Sequence, residues 1–149
     1  MLLSVLLLGL SGCSKWFDVA PKTQIKSEDF FDSEEGFKSA LAGVYVRMTN
    51  NETYGRNLSF LFLENLVQRY DRAETTGPAE AIYDYKNISK NTLQDIWVGM
   101  YQNIANINNL LKNLDSHGQS TVQTPGYFEL MKGEALGLRA FHYFDLLRM

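Results

Sequence analysis

The side chains able to do acid–base or ligand chemistry are few and scattered. His117 and His142 are the only histidines, and Cys13 is the only cysteine. His142 and Asp145 stand three residues apart, a helical step that sets a base beside a carboxylate. The local sequence supplies no nucleophile or oxyanion donor next to them. A surface ion pair is therefore the expectation, and catalysis is not. Glu134 and Arg139 are five apart and do not face each other on a helix, so Arg139 is expected to bind a carboxylate or carbonyl of a neighbouring helix. A zinc site would have to draw most of its ligands from carboxylates, and a lone cysteine closes no internal disulfide. No metal and no cofactor is expected. The net charge is −3, without the basic surplus that attracts nucleic acid, so DNA and RNA are not expected partners.

Cys13 offers a thiol for modification instead. It follows "MLLSVLLLGL" (1–10) directly after Ser11 and Gly12. That run is shorter than the about 20 apolar residues needed to cross a bilayer core. It has the length of the apolar region of a secretory signal, about 7–15 residues. Leu10-Ser11-Gly12-Cys13 resembles the lipobox of bacterial lipoproteins. The resemblance implies cleavage just before Cys13, diacylation of its sulfur and a third chain on the new N-terminus. Each buried CH₂ contributes about 0.8 kcal/mol, so two or three chains anchor durably where one does not. Residues 1–12 are expected to be a lipoprotein signal peptide, and 13–26 a lipidated N-terminus and extended tether around Pro21. Residues 1–12 contain no Lys or Arg. A misassigned start or further residues upstream would account for the missing basic region.

The rest must be positioned by helices. With 45% hydrophobic and 13% aromatic residues in 149, the chain has material for an ordered core. A first helix is predicted over 33–49, capped by Asp32 or Ser33, with Phe37, Ala40, Leu41, Val44, Tyr45 and Met48 on one face. A second is predicted over about 58–70. A long irregular connection follows, in which Tyr83 and Tyr85 are the candidate ligand contacts. "NLS" at 57 and "NIS" at 87 match a glycosylation acceptor pattern that is usually idle in bacteria.

A third helix is predicted over about 92–115, capped by Asn91 or Thr92. Its stripe runs Leu93, Ile96, Trp97, Met100, Tyr101, Ile104, Ile107, Leu111 and Leu114. Trp97 and Tyr101 are aromatics of the kind that stack on sugars, but the stripe places them in the core. Asn103, Asn106, Asn109 and Asn113 are expected to make inter-helix and loop hydrogen bonds. Gly118 is read as a stop. A fourth helix is predicted from about Pro125, with Thr124 as its cap, to the last residue. Helices three and four then form an antiparallel hairpin. The fourth is apolar over most of its circumference, with small residues at Gly133, Ala135, Gly137 and Ala140 that permit another backbone to come close. It is still in helical phase at Met149, so the sequence is expected to be the front part of a longer protein.

Four segments in order resemble the N-terminal part of the SusD/RagB proteins of Bacteroidota, which are outer-membrane nutrient-uptake lipoproteins. They are the lipobox at Cys13 with Asp18 and Pro21 after it, "FFDSEEGFKSALAGVY" (30–45), "WVGMYQNIANINNLL" (97–111) and "GEALGLRAFHYFDLLRM" (133–149). The third carries Trp97, Tyr101, Ile104 and Asn106 at the family's spacing. The fourth carries Gly133, Glu134, Ala135, Leu138, Arg139, Ala140, Tyr143, Phe144 and Leu146. The resemblance implies an all-α fold of tetratricopeptide-like helical hairpins over 27–149. It implies lipid anchoring at the cell outer membrane through Cys13 and association with a SusC-like TonB-dependent transporter. It further implies capture of oligosaccharides or peptides, with no bond made or broken. The alternative is a helical-repeat scaffold lipoprotein that only mediates protein–protein contacts.

Overall fold

The computed structural model describes residues 27–69 and 77–149. The expectations for the leader, Cys13 and the tether fall outside the described residues. The chain divides into two compact units, Met1–Phe30 and Phe31–Met149. Helix α1, Ser27–Phe30, belongs to the first. All other elements belong to the second, and they are helical; no strand occurs among the described residues.

Helix α2 spans Glu34–Met48, and Ser33 caps it: the backbone of Ser33 is extended and its Oγ accepts from Gly36 N at 3.2 Å. Glu34 and Glu35 occupy the first turn, where the helix dipole favours negative charge. Phe37, Leu41 and Val44 are buried, at i, i+4 and i+7 of the predicted face. Tyr45 sits at the edge of that face and donates to a Glu134 oxygen across the bundle. The polar residues 49–56 end the helix as predicted, and Thr53 is buried there, its Oγ1 donating to Met48 O at 3.0 Å.

The second predicted helix is shorter and wider than its periodicity suggests. A π-helical turn, Asn57–Leu61, leads into α3, Phe62–Leu66. The widening starts in the preceding turn, where Leu58 N bonds to Thr53 O at 2.9 Å and Leu61 N to Arg56 O at 3.1 Å, both five-residue steps. Gln68 adopts a left-handed conformation (φ 52°), which ends the segment. The connection after it is not wholly irregular. Helix α4, Pro78–Tyr83, begins with proline at its first turn after Gly77 at φ 75°. Ile82 anchors it in a cluster with Leu58, Phe62, Ile96 and Met100.

Helix α5, Lys90–Asn113, starts two residues before the predicted point, with Ser89 at the cap position. Neither Asn91 nor Thr92 caps it. The larger correction concerns its face. Ile96, Met100, Asn103, Ile104, Ile107, Leu110 and Leu111 are buried, whereas Trp97 is 53% and Tyr101 41% exposed. Successive residues lie about 100° apart round a helix. Trp97 and Tyr101 therefore stand one step round from Ile96 and Met100, past the edge of the covered face. Leu93 is exposed as well.

Gly118 is not a stop. A π turn, Leu114–Gly118, continues into the short α6, Gln119–Thr121, and the helical path breaks only at the extended Val122. Gly118 has a packing role: a Cβ there would come within 3.0 Å of Leu114 Cδ2 and 3.2 Å of the Phe128 ring. Helix α7, Tyr127–Arg148, follows Gly126, which is left-handed at φ 74°. Thr124 does not cap it, because its N–H and hydroxyl both go to Glu34. Lys132 reaches Asp115 at 2.7 Å and, two turns further, Arg139 Nη1 donates to Asn108 Oδ1 at 3.1 Å. Helices α5 and α7 are thus antiparallel, the hairpin the spacing predicts, and Arg139 takes the side-chain carbonyl of a neighbouring helix. Helix α2 bridges both through Tyr45–Glu134 and Arg47–Gln102.

Met131, Ala135, Leu138, His142 and Asp145 form the buried stripe of α7. Leu130, Leu136, Phe141, Tyr143, Phe144 and Leu147 are exposed, and a Cβ at Gly133 or Gly137 would meet open space. The close backbone approach expected at these glycines is therefore not made among the described residues. Phe37, Ile96, Met100, Ile107, Leu110, Leu114 and Met131 are the large apolar side chains at the centre of the core. Burial of each such side chain contributes about 1.5–3 kcal/mol.

Candidate functional site

Helix α5 carries the most distinctive exposed chemistry. Trp97 and Tyr101 are one turn apart, with ring centroids 4.9 Å apart and planes tilted by 47°. The helix backbone fixes their spacing, and each keeps a large part of its ring open. Aromatic surface of this kind packs against the apolar faces of flat ligands.

On the other shoulder of α5 lies a polar cleft of about 210 Å³, lined by Arg47, Asn50, Glu52, Thr53, Asp95, Val98, Gly99 and Gln102. Arg47 comes from the last turn of α2 and Asn50 to Thr53 from the turn after it, while Asp95 to Gln102 are two turns of α5. The Arg47 guanidinium donates through Nη2 to Gln102 Oε1, and its Nε is buried without a partner among the described residues. Gly99 lets the turn close on the helix: a Cβ there would lie 3.0 Å from Thr53 Cγ2. The sequence does signal half of this cleft, since Asp95 and Gln102 share the polar side of α5 two turns apart. Its other wall comes from residues more than forty positions away in the chain.

The predicted His142–Asp145 surface pair is neither at the surface nor an ion pair. His142 is fully buried and Asp145 nearly so. Helix α7 turns both inward because they continue the stripe of Ala135 and Leu138. His142 Nδ1 lies 2.7 Å from Leu138 O, and its ring meets Tyr54 edge-on at 5.6 Å. Tyr54 Oη donates to Asp145 Oδ2 at 2.8 Å, and Arg148 completes the carboxylate's partners. Burial pushes the His142 pKa down; the Leu138 carbonyl and the nearby Asp145 charge pull the other way. Tyr54 is driven well above the usual phenol range, first by burial and then by its bond to Asp145. The buried imidazole and the tied phenol form a structural network without a nucleophile; an opening of about 290 Å³ reaches Asp145 and Arg148 from the side of Leu58 and Leu66, but neither His142 nor Tyr54 lines it.

Of the candidate contacts Tyr83 and Tyr85, the second is 58% exposed and left-handed (φ 55°), with its Oη donating to Leu66 O at 2.6 Å. Gln68 Nε2 donates to Tyr83 O at 2.9 Å. The two tyrosines therefore stitch the 84–88 turn to the end of α3, and the outer face of the Tyr85 ring remains open. The asparagines are corrected in part. Asn113 bonds to Asn109 on its own helix, and Asn103 is fully buried with neither side-chain atom partnered among the described residues. Asn57 of the first glycosylation pattern is buried. No group of three or more His, Cys, Asp or Glu that could hold a metal occurs among the described residues.

Comparison with known proteins fixes the class. A SusD-like family model, described as starch-binding and associating with the outer membrane, matches residues 15–149. The chain belongs to the SusD-like family. SusD-like protein P25 of Formosa agariphila is 24% identical over 152 residues, which cover 97% of this chain. The chain spans 28% of the length of that relative. No solved structure matches the chain. The all-α, tetratricopeptide-like architecture agrees with the family's helical character. Among the described residues, no helix is long and apolar enough to cross a membrane.

Proposed function

We propose that this chain is the N-terminal helical part of an outer-membrane surface lipoprotein that captures nutrient oligosaccharides for a SusC-like TonB-dependent transporter. The carrying observation is the match of residues 15–149 to a family described as starch-binding and outer-membrane associated. In this reading residues 1–12 are the signal peptide, and Cys13 is the acylated first residue of the mature chain. Residues 13–26 are the tether, and 27–149 build the helical platform. The protein binds and hands over; it makes and breaks no bond. The exposed rings of Trp97 and Tyr101, with Tyr85 on the α4–α5 connection, favour glycan over peptide as the captured nutrient, because flat apolar rings match the C–H faces of sugars.

The test is made on the full-length protein in a bacterium that processes lipoproteins. Labelled palmitate is expected to enter the wild type and not Cys13→Ala. A TonB-dependent barrel is expected to copurify with the wild type from detergent-solubilised outer membrane. Retention of both label and membrane attachment by Cys13→Ala would sink the anchor. Glycan binding without any barrel would sink the transporter role. Barrel binding without any glycan or peptide ligand would favour the scaffold alternative.

A further inference from the structure

We infer that the cleft between the last turn of α2 and the outer side of α5 is a subsite for one ring of a neutral, hydroxyl-rich glycan. This rests on the glycan-capture reading and adds to it where a ring sits and which charge class it has.

The donors and acceptors are those a sugar needs. Arg47 and Gln102 hold each other through Nη2 and Oε1, so two planar hydrogen-bonding groups stand pre-oriented at one wall. Arg47 Nε is buried and unpartnered, a donor whose place in a folded protein asks for an acceptor. The carboxylates of Glu52 and Asp95 line the same cleft and make no ion pair among the described residues. Carboxylate and amide oxygens accept from hydroxyls, while guanidinium and amide N–H groups donate to them, and vicinal hydroxyls present both roles. Val98, 43% exposed, gives the cleft a small apolar area for the C–H face of a ring.

Size and charge narrow the ligand. Sites for drug-sized molecules run to about 300–1,000 Å³. A cleft of about 210 Å³ holds one ring of a chain and not a folded peptide segment. One guanidinium against two carboxylates leaves the cleft net negative, so uronate and sulfated sugars are disfavoured by like charge. At about 100° per residue, Tyr101, Val98, Gln102 and Asp95 follow one another round the exposed side of α5. The aromatic pair and the cleft are thus two shoulders of one crest. A chain of several rings laid across it stacks at Trp97 and Tyr101 and hydrogen-bonds in the cleft.

The experiment is calorimetric titration of the full-length protein with neutral oligosaccharides (maltoheptaose, xylohexaose, mannohexaose) and with a hexameric galacturonate. At least one neutral probe is expected to bind, and the galacturonate is not. Asp95→Ala and Gln102→Ala are each expected to weaken that binding about tenfold, the worth of one hydrogen bond to a charged or oriented group. Both side chains lie at the surface, and an unchanged melting temperature shows that the fold is kept. Wild-type affinity in both variants overturns the cleft. If Tyr85→Ala alone then abolishes binding, glycan capture stands at another place. Tighter binding of galacturonate overturns the charge assignment. Failure of every neutral probe to bind wild type overturns both the cleft and the capture of neutral glycans.

Discussion

His142, Tyr54 and Asp145 show how burial sets the behaviour of individual groups. His142 is neutral inside the protein because water is excluded from it, and its folded pKa lies below the ordinary value of 6.5. The unfolded chain binds the proton more readily, so the resulting stability is present above pH 6.5 and is lost as the pH falls through the folded pKa. Replacing His142 with Phe is expected to flatten that part of the stability–pH profile, measured as melting temperature between neutral pH and pH 5. Tyr54→Phe removes the donor that Asp145 Oδ2 accepts at 2.8 Å. It is expected to cost about 1–3 kcal/mol in denaturant unfolding, since a nearly buried carboxylate loses one of its partners. Asn103 is the opposite case. Both of its side-chain polar atoms are buried and unpartnered among the described residues. Asn103→Leu is therefore expected to leave stability unchanged or to raise it by about 1 kcal/mol.

Helix α7 and the loop before it depend on one side chain at the far end of another helix. Glu34, in the first turn of α2, accepts from Gln123 N and Thr124 N at 3.0 Å each and from Thr124 Oγ1 at 2.8 Å. Lys38 sits one turn on, at 2.8 Å from the same carboxylate. Lys38 first, and then the Thr124 bonds, hold the Glu34 carboxyl well below its ordinary value, at about 2. A depressed carboxylate pKa contributes stability above the unfolded pKa, and that contribution disappears as the pH falls toward the folded one. Glu34→Gln is expected to remove the acid-sensitive part of stability between pH 4.5 and 2 and to speed amide exchange at Gln123 and Thr124. Unchanged exchange at those two amides would show that the loop is held without Glu34.

At the scale of the whole unit, the hairpin of α5 and α7 buries one stripe of each helix and leaves a broad apolar surface on α7. Leu147 is 84% exposed, with Leu136, Phe144 and Leu130 also open. A contiguous apolar surface of this kind is unusual on a stable monomer. Residues 27–149 produced alone are expected to bind a hydrophobic dye and to self-associate. Leu136→Glu with Leu147→Glu is expected to suppress both without lowering the melting temperature, because neither side chain is in the core. A melting temperature that falls with these substitutions would place the two leucines in the core of the folded unit.

Sequence periodicity alone determined that the chain is helical, where α2, α5 and α7 lie, and that the last two pair as a hairpin. A 3.6-residue repeat of apolar residues is a local property that survives in any context. Ser33 was legible for the same reason, since a cap acts within three residues. Periodicity does not say which of two overlapping faces a neighbour will cover. On α5 the neighbours cover Ile96, Met100 and Asn103 and leave Trp97 and Tyr101 outside, although all five fit a helical stripe. On α7 they cover His142 and Asp145, whose polar character had argued for the surface. The Glu34 clamp, the Tyr54–Asp145 bond and the Arg47–Gln102 wall of the cleft join residues roughly 55 to 90 positions apart. Only the packing of α2 across the hairpin brings them together, because side chains that distant share no local energy until the helices dock.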